Sequence, residues 1–209
     1  MKEVVLLSPA AREGALCVPA IKIVAAADSI DFTGFDALIV TSKTAIGIVD
    51  RLNGGWKRLK IFTIGAKTSE EVKRLGGGVF FESSAARGEI LAQEIAHRFG
   101  HLNFLYPKAR ESAVDLEQML KSAGVRVSAR VIYETRCAKI DGALLPREAV
   151  VIFTSPSTVE CFLSQTEWRS GFTAVAIGAT TAAALEKRGV KAAISPAPSV
   201  EEAILFARK

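Results

Sequence analysis

The sequence predicts an α/β protein made of two similar domains, each built on a parallel sheet. Two observations carry this prediction. Short apolar runs alternate with longer helix-like segments, and the second half of the chain repeats the first at a constant offset of 113 residues. Strands that alternate with helices form βαβ units, whose strands pair in parallel. The 209 residues, 49% of them hydrophobic, are enough for two domains of about 100 residues each.

Three pairs of turns mark the repeat. The apolar runs in segments 35–48 and 148–162 both end in a Thr-Ser turn that leads into a helix-like segment. An Ile-Gly turn follows the next apolar run of each copy, and a glycine ends the helix after it. The positions that keep the offset are Ser42 and Ser155, Gly65 and Gly178, and Gly76 and Gly189. Identity between the copies is low, so the chain has a duplicated architecture rather than a tandem array.

Each copy has the order strand, helix, strand, helix, short strand, helix. Its strands are continuous apolar runs, which predicts a three-layer domain of the flavodoxin or Rossmann type with helices on both faces of the sheet. Ser155 followed by Pro156 is typical of a helix N-terminus. Ser199 with Glu202 predicts a capping box that opens a helix over 199–208.

Two further stretches complete the sheets. Segment 3–9 is a strand and turn similar to 102–110, which leads into a predicted helix over 111–122 and a strand over 125–133. We expect the N-terminal strand to join the sheet of the second copy. Segment 102–128 is then expected to join the sheet of the first copy.

This arrangement predicts one discontinuous domain, 1–19 with 138–209, and one inserted domain, 27–129. The chain crosses between them at 20–26 and 130–137. Both crossings are rich in β-forming residues, and we expect them to pair as a two-stranded β-ladder that acts as a hinge.

Composition excludes several classes of protein. Three widely separated cysteines argue against a disulfide framework and suit a reducing cytosol, so a cytoplasmic protein is expected. With two histidines and no Cys-x-x-Cys motif, we expect no metal site. No apolar run reaches the length of a membrane helix. The net charge of +5 suits an anionic ligand, but the basic residues are dispersed, so nucleic-acid binding is not expected.

Five turns between strands and helices form the candidate binding site. In open parallel sheets, ligands bind at the carboxyl ends of the strands, against helix N-termini. These turns offer hydroxyls, glycine backbone, basic side chains and helix N–H groups, which suit a multiply charged anion in a cleft between the domains. The alternative is that the serines and threonines only cap helices. The candidate residues are Thr41, Ser42, Lys43, Gly65, Lys67, Thr68, Lys108, Arg110, Ser155, Ser157, Gly178, Thr180 and Thr181.

Several common catalytic and nucleotide-binding motifs do not occur in the sequence. There is no Gly-x-Gly-x-x-Gly motif, and the stretch Gly65-Ala66-Lys67-Thr68 lacks the glycine that a phosphate-binding loop has directly before its lysine. No Ser-His-Asp or Cys-His set can be assembled. The functions that the sequence still allows are binding of an anion, or a reaction that requires only a site of the right shape and charge and one weakly acidic side chain.

Six segments carry a resemblance to a known family. They are 37–43, 64–68, 105–108, 131–135, 153–157 and 176–181. In this order and spacing they resemble the uroporphyrinogen-III synthase family over nearly the whole chain. The resemblance implies two α/β domains joined by a β-ladder. It also implies cyclisation of the linear tetrapyrrole hydroxymethylbilane to uroporphyrinogen III in haem biosynthesis, with loss of water and inversion of the last pyrrole ring.

The resemblance also implies what such an enzyme needs. Its substrate carries eight carboxylates, which hydroxyl, amide and basic groups lining a cleft would bind. No cofactor is implied, and we expect a monomer that contacts the preceding pathway enzyme only transiently. Tyr133 matches the family's tyrosine at the end of the second crossing, and its phenol is the candidate catalytic group, donating a proton to the departing hydroxyl. The alternative is a half-buried tyrosine with only a packing role.

The N-terminal segment departs from the family pattern. Family members commonly have Arg-Pro after the first strand, where this chain has Ser8-Pro9. Segment 9–19 is also too short for the full helix expected there, which would leave part of one sheet face thinly covered. A non-catalytic two-domain protein that binds an anionic solute is the alternative function.

Overall fold

The computed structural model describes residues 2–111 and 114–209. The chain forms two compact units. The discontinuous unit comprises Met1–Ile23 with Thr135–Lys209, and the inserted unit comprises Val24–Glu134.

Strands and helices alternate through most of the described chain. The strands are β1 (Glu3–Leu6), β2 (Leu16–Cys17), β3 (Ile21–Ala25), β4 (Ala37–Val40), β5 (Lys60–Thr63), β6 (Val79–Glu82), β7 (Asn103–Ala109), β8 (Arg126–Cys137), β9 (Ala149–Phe153), β10 (Phe172–Ala176) and β11 (Ala192–Ile194). The helices are α1 (Lys43–Leu52), α2 (Ala66–Arg74), α3 (Gly88–Phe99), α4 (Leu116–Ser122), α5 (Pro156–Leu163), α6 (Ala179–Lys187) and α7 (Val200–Ala207).

The strands form two sheets. One has the order β11-β10-β9-β1-β2, and the other has the order β3-β8-β7-β4-β5-β6. From β8 to β6 in the second sheet, and throughout the first, neighbouring strands run parallel. The predicted class, mixed α/β with two parallel sheets, is confirmed. The N-terminal strand β1 pairs with β9, which confirms that it completes the sheet of the second copy.

The repeat holds in the structure. Helix α2 begins and ends 113 residues before α6, and β4, β5 and β6 lie at nearly the same offset from β9, β10 and β11. After α2 and α6 the chain turns at Gly76 and Gly189, whose φ angles of 82° and 74° lie in the left-handed region. Glycine adopts that conformation without the steric cost that a Cβ would add.

Helices cover both faces of each sheet. In the inserted unit, α1 and α2 pack on the apolar cluster around Trp56 and Val40, and α3 and α4 pack on the cluster around Phe62 and Phe104. In the discontinuous unit, α5 and α6 cover the cluster around Phe153, while α7 covers the opposite face. The strands between the helix layers are therefore buried on both sides, as their continuous apolar sequences predict.

The crossing strands pair as predicted. Ala26 N–H donates to the Ile132 carbonyl and Ala138 N–H donates to the Ala20 carbonyl, both at 2.9 Å. These two bonds fix an antiparallel register for β3 and β8. The strand β8 is longer than the predicted strand over 125–133, because it continues through the crossing to Cys137.

Some helix boundaries differ from the predictions. The helix predicted over 111–122 begins at Leu116, where the Asp115 side chain caps it; positions 112 and 113 of that prediction lie outside the described residues. Ser199 caps α7 by accepting the Glu202 N–H at 3.2 Å, which is one half of the predicted capping box. The segment between β1 and β2 contains no helix.

A disulfide joins Cys137 to Cys161, with 5.1 Å between their Cα atoms. The expectation that the cysteines stay unpaired is wrong for these two, because the fold brings the end of β8 next to α5. Cys17 is free. Since 24 residues separate the bonded pair, the cross-link restricts the unfolded chain over a loop of that length.

We expect Cys137→Ser to destabilise the discontinuous unit by about 3.5 kcal/mol, the chain-entropy value for a loop of this length. Cys137 is exposed, so serine adds no buried polar group there. Denaturant unfolding without reductant measures the loss, and Cys17→Ser is the matched control. Equal unfolding midpoints for Cys137→Ser and the unsubstituted protein would contradict the prediction.

Candidate active site

The predicted binding residues lie where parallel strands end and helices begin. In the inserted unit, β4 leads through Thr41-Ser42 into α1, and β5 leads through Ile64-Gly65 into α2. In the discontinuous unit, β9 leads through Thr154-Ser155 into α5, and β10 leads through Ile177-Gly178 into α6. Because the strands within each sheet are parallel, these turns lie at the carboxyl edge of their own sheet.

Two tyrosines contact consecutive hydroxyl residues at the end of β4. The Tyr106 phenol on β7 lies 3.5 Å from Thr41 Oγ1, and the Tyr133 phenol on β8 lies 3.2 Å from Ser42 Oγ. Ser42 Oγ also accepts the Ala45 N–H at 3.0 Å, so Ser42 is the N-cap of α1. The structure thus joins Thr41, Ser42 and Tyr133, which the sequence analysis selected separately.

The two phenols differ in exposure. Tyr106 is 3% exposed, and burial raises the pKa of its phenol above the usual value of 10.0. It therefore stays neutral across the ordinary pH range. Tyr133 is only partly buried, packed against the apolar cluster beneath α1. Of the two, Tyr133 is the phenol that a ligand can reach.

Gly65 begins α2 without any side-chain cap. The first N–H groups of α2 therefore have no capping side chain, and they lie at the positive end of the helix dipole. Lys43 and Lys67 are exposed beside the two helix starts. Lys67 makes no ion pair with any residue the structure describes. Thr68, by contrast, is 5% exposed, and its burial favours a packing role for its side chain.

The two basic residues at the C-terminal end of β7, Lys108 within the strand and Arg110 directly after it, differ in whether an acidic side chain compensates their charge. Arg110 Nε lies 2.6 Å from Glu134 Oε2, so its charge is already compensated. Lys108 is partly buried and has no acidic partner within the described ranges. Lys108 is therefore the better candidate for an external carboxylate.

The discontinuous unit repeats the pattern with different caps. Ser155 and Thr158 form a reciprocal capping box at the start of α5, and Ser157 beside them is exposed. Gly178 begins α6 without a side-chain cap, as Gly65 begins α2. Thr180 is exposed, whereas Thr181 is 3% exposed. The Thr181 side chain therefore packs against the core, like Thr68 in the first copy.

Two residues that contact the predicted binding residues were not predicted from the sequence. Tyr106 lies in a segment that carried the resemblance, but nothing in the sequence placed it beside Thr41. Glu134 directly follows Tyr133, and its pairing with Arg110 depends on the register of β7 and β8. A charge-pattern search across neighbouring predicted strands would have proposed that pair.

A cavity of about 310 Å³ lies in the inserted unit. It is lined by segment 27–35 and by Arg130, Val131 and Ile132. None of the predicted binding residues lines it, so it does not belong to the candidate site.

Comparison with known proteins gives a consistent result. The family model for uroporphyrinogen-III synthase HemD matches residues 10–204. The structure is similar to that of uroporphyrinogen-III synthetase from Helicobacter pylori, with a TM-score of 0.85 and 25% identity over 100% of this chain and 99% of that one. A mutant uroporphyrinogen III synthase from the extremely thermophilic bacterium Thermus thermophilus shares the fold, with a TM-score of 0.55 and 15% identity over 99% of this chain and 96% of that one. Comparison with curated proteins gave no match.

The fold and the matched residues define a two-sheet α/β enzyme of tetrapyrrole synthesis. The chain belongs to the uroporphyrinogen-III synthase family, whose members are cyclising lyases of haem biosynthesis. Among the described helices, none has the length and apolar character to cross a bilayer.

Gly178 provides a test of backbone binding at α6. Its φ of −172° is extended, and an added Cβ would meet no atom within 4 Å. We expect Gly178→Ala to fold with an unchanged melting temperature. Because the methyl group would occupy the space through which a carboxylate approaches the α6 N–H groups, KM for hydroxymethylbilane should rise about tenfold, the equivalent of one charge-assisted hydrogen bond.

Gly142→Ala is the matched control, since a Cβ at Gly142 also meets no atom and Gly142 lies outside the predicted turns. Steady-state kinetics of both variants, with thermal melts, make the comparison. An unchanged KM in Gly178→Ala would show that substrate does not approach this turn.

Proposed function

We propose that this member of the family converts hydroxymethylbilane to uroporphyrinogen III at the turns described above. The observation that carries the proposal is the family match over residues 10–204. The similarity to the Helicobacter pylori synthetase over the whole chain supports it. No finding supports the alternative of a non-catalytic solute-binding protein.

The substrate's carboxylates bind the helix N-termini and nearby lysines. Gly65 and Gly178 leave first-turn N–H groups without a side-chain cap, and Lys67 and Lys108 are without an acidic partner among the described residues. Each hydrogen bond to a carboxylate contributes about 1.5–3 kcal/mol when well formed. Several such contacts would hold a flexible chain of four rings in one conformation.

Catalysis in this proposal depends mainly on that conformation. The linear substrate closes without help, but without inverting its last ring. An enzyme that holds the substituted carbon close to the reacting methylene directs attack there, which is an orientation effect. Tyr133 is the catalytic acid: its proton passes to the departing hydroxyl, the carbon–oxygen bond breaks, and water leaves.

The proposal also covers the cellular location of the enzyme, its oligomeric state and its protein partners. The enzyme works in the cytoplasm as a monomer without a cofactor, and it contacts the preceding pathway enzyme only transiently. These points rest on the family resemblance.

The wild-type protein is tested by supplying freshly prepared hydroxymethylbilane and separating the products by chromatography. We expect the inverted isomer, uroporphyrinogen III, to dominate. If only the non-inverted isomer of the spontaneous reaction accumulates, the proposed function is wrong.

Tyr133→Phe tests the assignment of the acid. We expect kcat to fall roughly 10- to 100-fold with KM little changed, because the substrate's hydroxyl is already labile and general acid catalysis adds a moderate factor. Tyr106→Phe is the matched control: it removes a phenol that is buried and has no role in the proposal. Full kcat in Tyr133→Phe would exclude Tyr133 as the proton donor.

A further inference from the structure

We propose that Ser42 is a positioning residue that orients the Tyr133 phenol, rather than a residue that binds substrate. This inference rests on the proposed function, because it requires Tyr133 to be the proton donor. Ser42 Oγ lies 3.2 Å from the Tyr133 phenol oxygen and 3.0 Å from the Ala45 nitrogen. Both contacts are within the protein, so they occupy the hydrogen-bonding capacity that a substrate carboxylate would need.

The available protons fix the direction of one of these hydrogen bonds, and the proposal sets the direction of the other. A backbone N–H can only donate, so Ser42 Oγ is the acceptor for Ala45. Either oxygen of the 3.2 Å Ser42–Tyr133 contact can be the donor, and in this proposal the serine proton is donated to the Tyr133 oxygen. Accepting one bond strengthens the donor in the next, as in other hydrogen-bonded chains. With Ser42 as donor, the phenol's own proton points away from Ser42 and is available to the substrate.

This arrangement also stabilises the product of the proton transfer. When the Tyr133 proton passes to the departing hydroxyl, a phenolate is left. The phenolate oxygen then accepts the Ser42 hydroxyl in a charge-assisted bond, beside the positive end of the ten-residue helix α1. Attack at the substituted carbon, which carries no hydrogen, is followed by cleavage of that carbon's bond to its original methylene. This methylene then bonds to the free α-carbon of the same ring, and the proton released from that carbon restores the phenol.

A β-bulge directs Tyr133 toward Ser42. The register of β7 and β8 shifts from Lys108 opposite Val131 to Ala109 opposite Tyr133, which leaves Ile132 as an extra residue in β8. Successive residues on a strand normally face opposite sides of a sheet. Here Ile132 and Tyr133 both pack on the apolar cluster beneath α1. The bulge therefore turns the phenol to the side of the sheet where Ser42 lies.

The second copy of the repeat provides an internal comparison. Ser155 is the equivalent of Ser42, but it forms a reciprocal capping box with Thr158. The first copy has Ala45 at the position equivalent to Thr158, and alanine has no hydroxyl to return the bond. The sequence contains only two tyrosines, and both lie in the inserted unit, which contains the first copy. The same capping position has thus acquired a phenol as partner in one copy only.

The test compares three substitutions of Ser42 in the isomer-resolved assay. We expect Ser42→Ala to lower kcat about tenfold with KM within about twofold, the effect of losing one hydrogen bond to a charged group. Ser42→Thr, which keeps the hydroxyl, should restore most of kcat. Ser42→Gly removes the hydroxyl but remains a good N-cap, so it replaces Ser42→Ala if that variant does not fold.

Two controls separate positioning from capping and from substrate binding. Ser199→Ala removes an N-cap of the same type from α7, which has no role in the site, and should leave kcat unchanged. In a Tyr133→Phe background, Ser42→Ala should cause no further loss of kcat, because Ser42 acts only through the phenol.

Each contrary outcome has a definite meaning. A higher KM at unchanged kcat in Ser42→Ala would show that Ser42 binds substrate, and an equal loss of kcat in the Tyr133→Phe background would show that it acts independently. Both overturn the positioning role while leaving the proposed function intact. If the wild-type protein makes no uroporphyrinogen III, the proposed function itself fails.

Discussion

The N–H groups in the first turn of an α-helix have no partner within the helix, and the candidate site depends on how this chain satisfies them. Helices α1 and α5 begin at serines that accept one of these N–H groups. Helices α2 and α6 begin at glycines, which have no side chain to accept one. In the proposed function, the serine-capped helices anchor the turns and the glycine-started helices keep donors for an anion. Serine at Gly65 or Gly178 would fill the donors that binding requires.

Duplication explains the shared framework, and small differences between the copies explain the chemistry. The two sheets place equivalent strands in the same order, and equivalent helices begin at equivalent turns. The copies differ where a reacting group would be needed. The first copy combines Ser42, Ala45 and Tyr133, whereas the second uses Ser155 and Thr158 in a self-contained cap. The proposed binding groups are repeated, but the proposed acid is present once.

Features set by local chemistry could be predicted from the sequence. Ser42, Gly65, Ser155 and Gly178 all start helices, because N-cap preferences and apolar runs act within a few residues. Contacts that depend on the register between neighbouring strands could not be predicted from the sequence. The Ser42–Tyr133 contact joins residues 91 apart and depends on a bulge that leaves no local signal. The disulfide likewise depends on where β8 ends relative to α5.

The burial of Thr68 and Thr181 was a missed local signal. Each threonine is four residues before a buried apolar residue, Val72 and Leu185 respectively. Residues four apart lie on the same face of a helix, so both threonines had to face the core. Applying helical periodicity to Thr68 and Thr181 would have predicted their burial.

The chain has two covalent forms, one with the Cys137–Cys161 disulfide intact and one with it reduced. One sulfur belongs to an exposed residue and the other to a buried one, so a dithiol in the buffer reaches the pair from the Cys137 side. Protein purified with a dithiol and protein purified without one then have the same sequence but differ in whether this disulfide is intact. Titration of accessible sulfhydryls in the denatured protein distinguishes them: one per chain when the bond is intact, and three when it is cleaved.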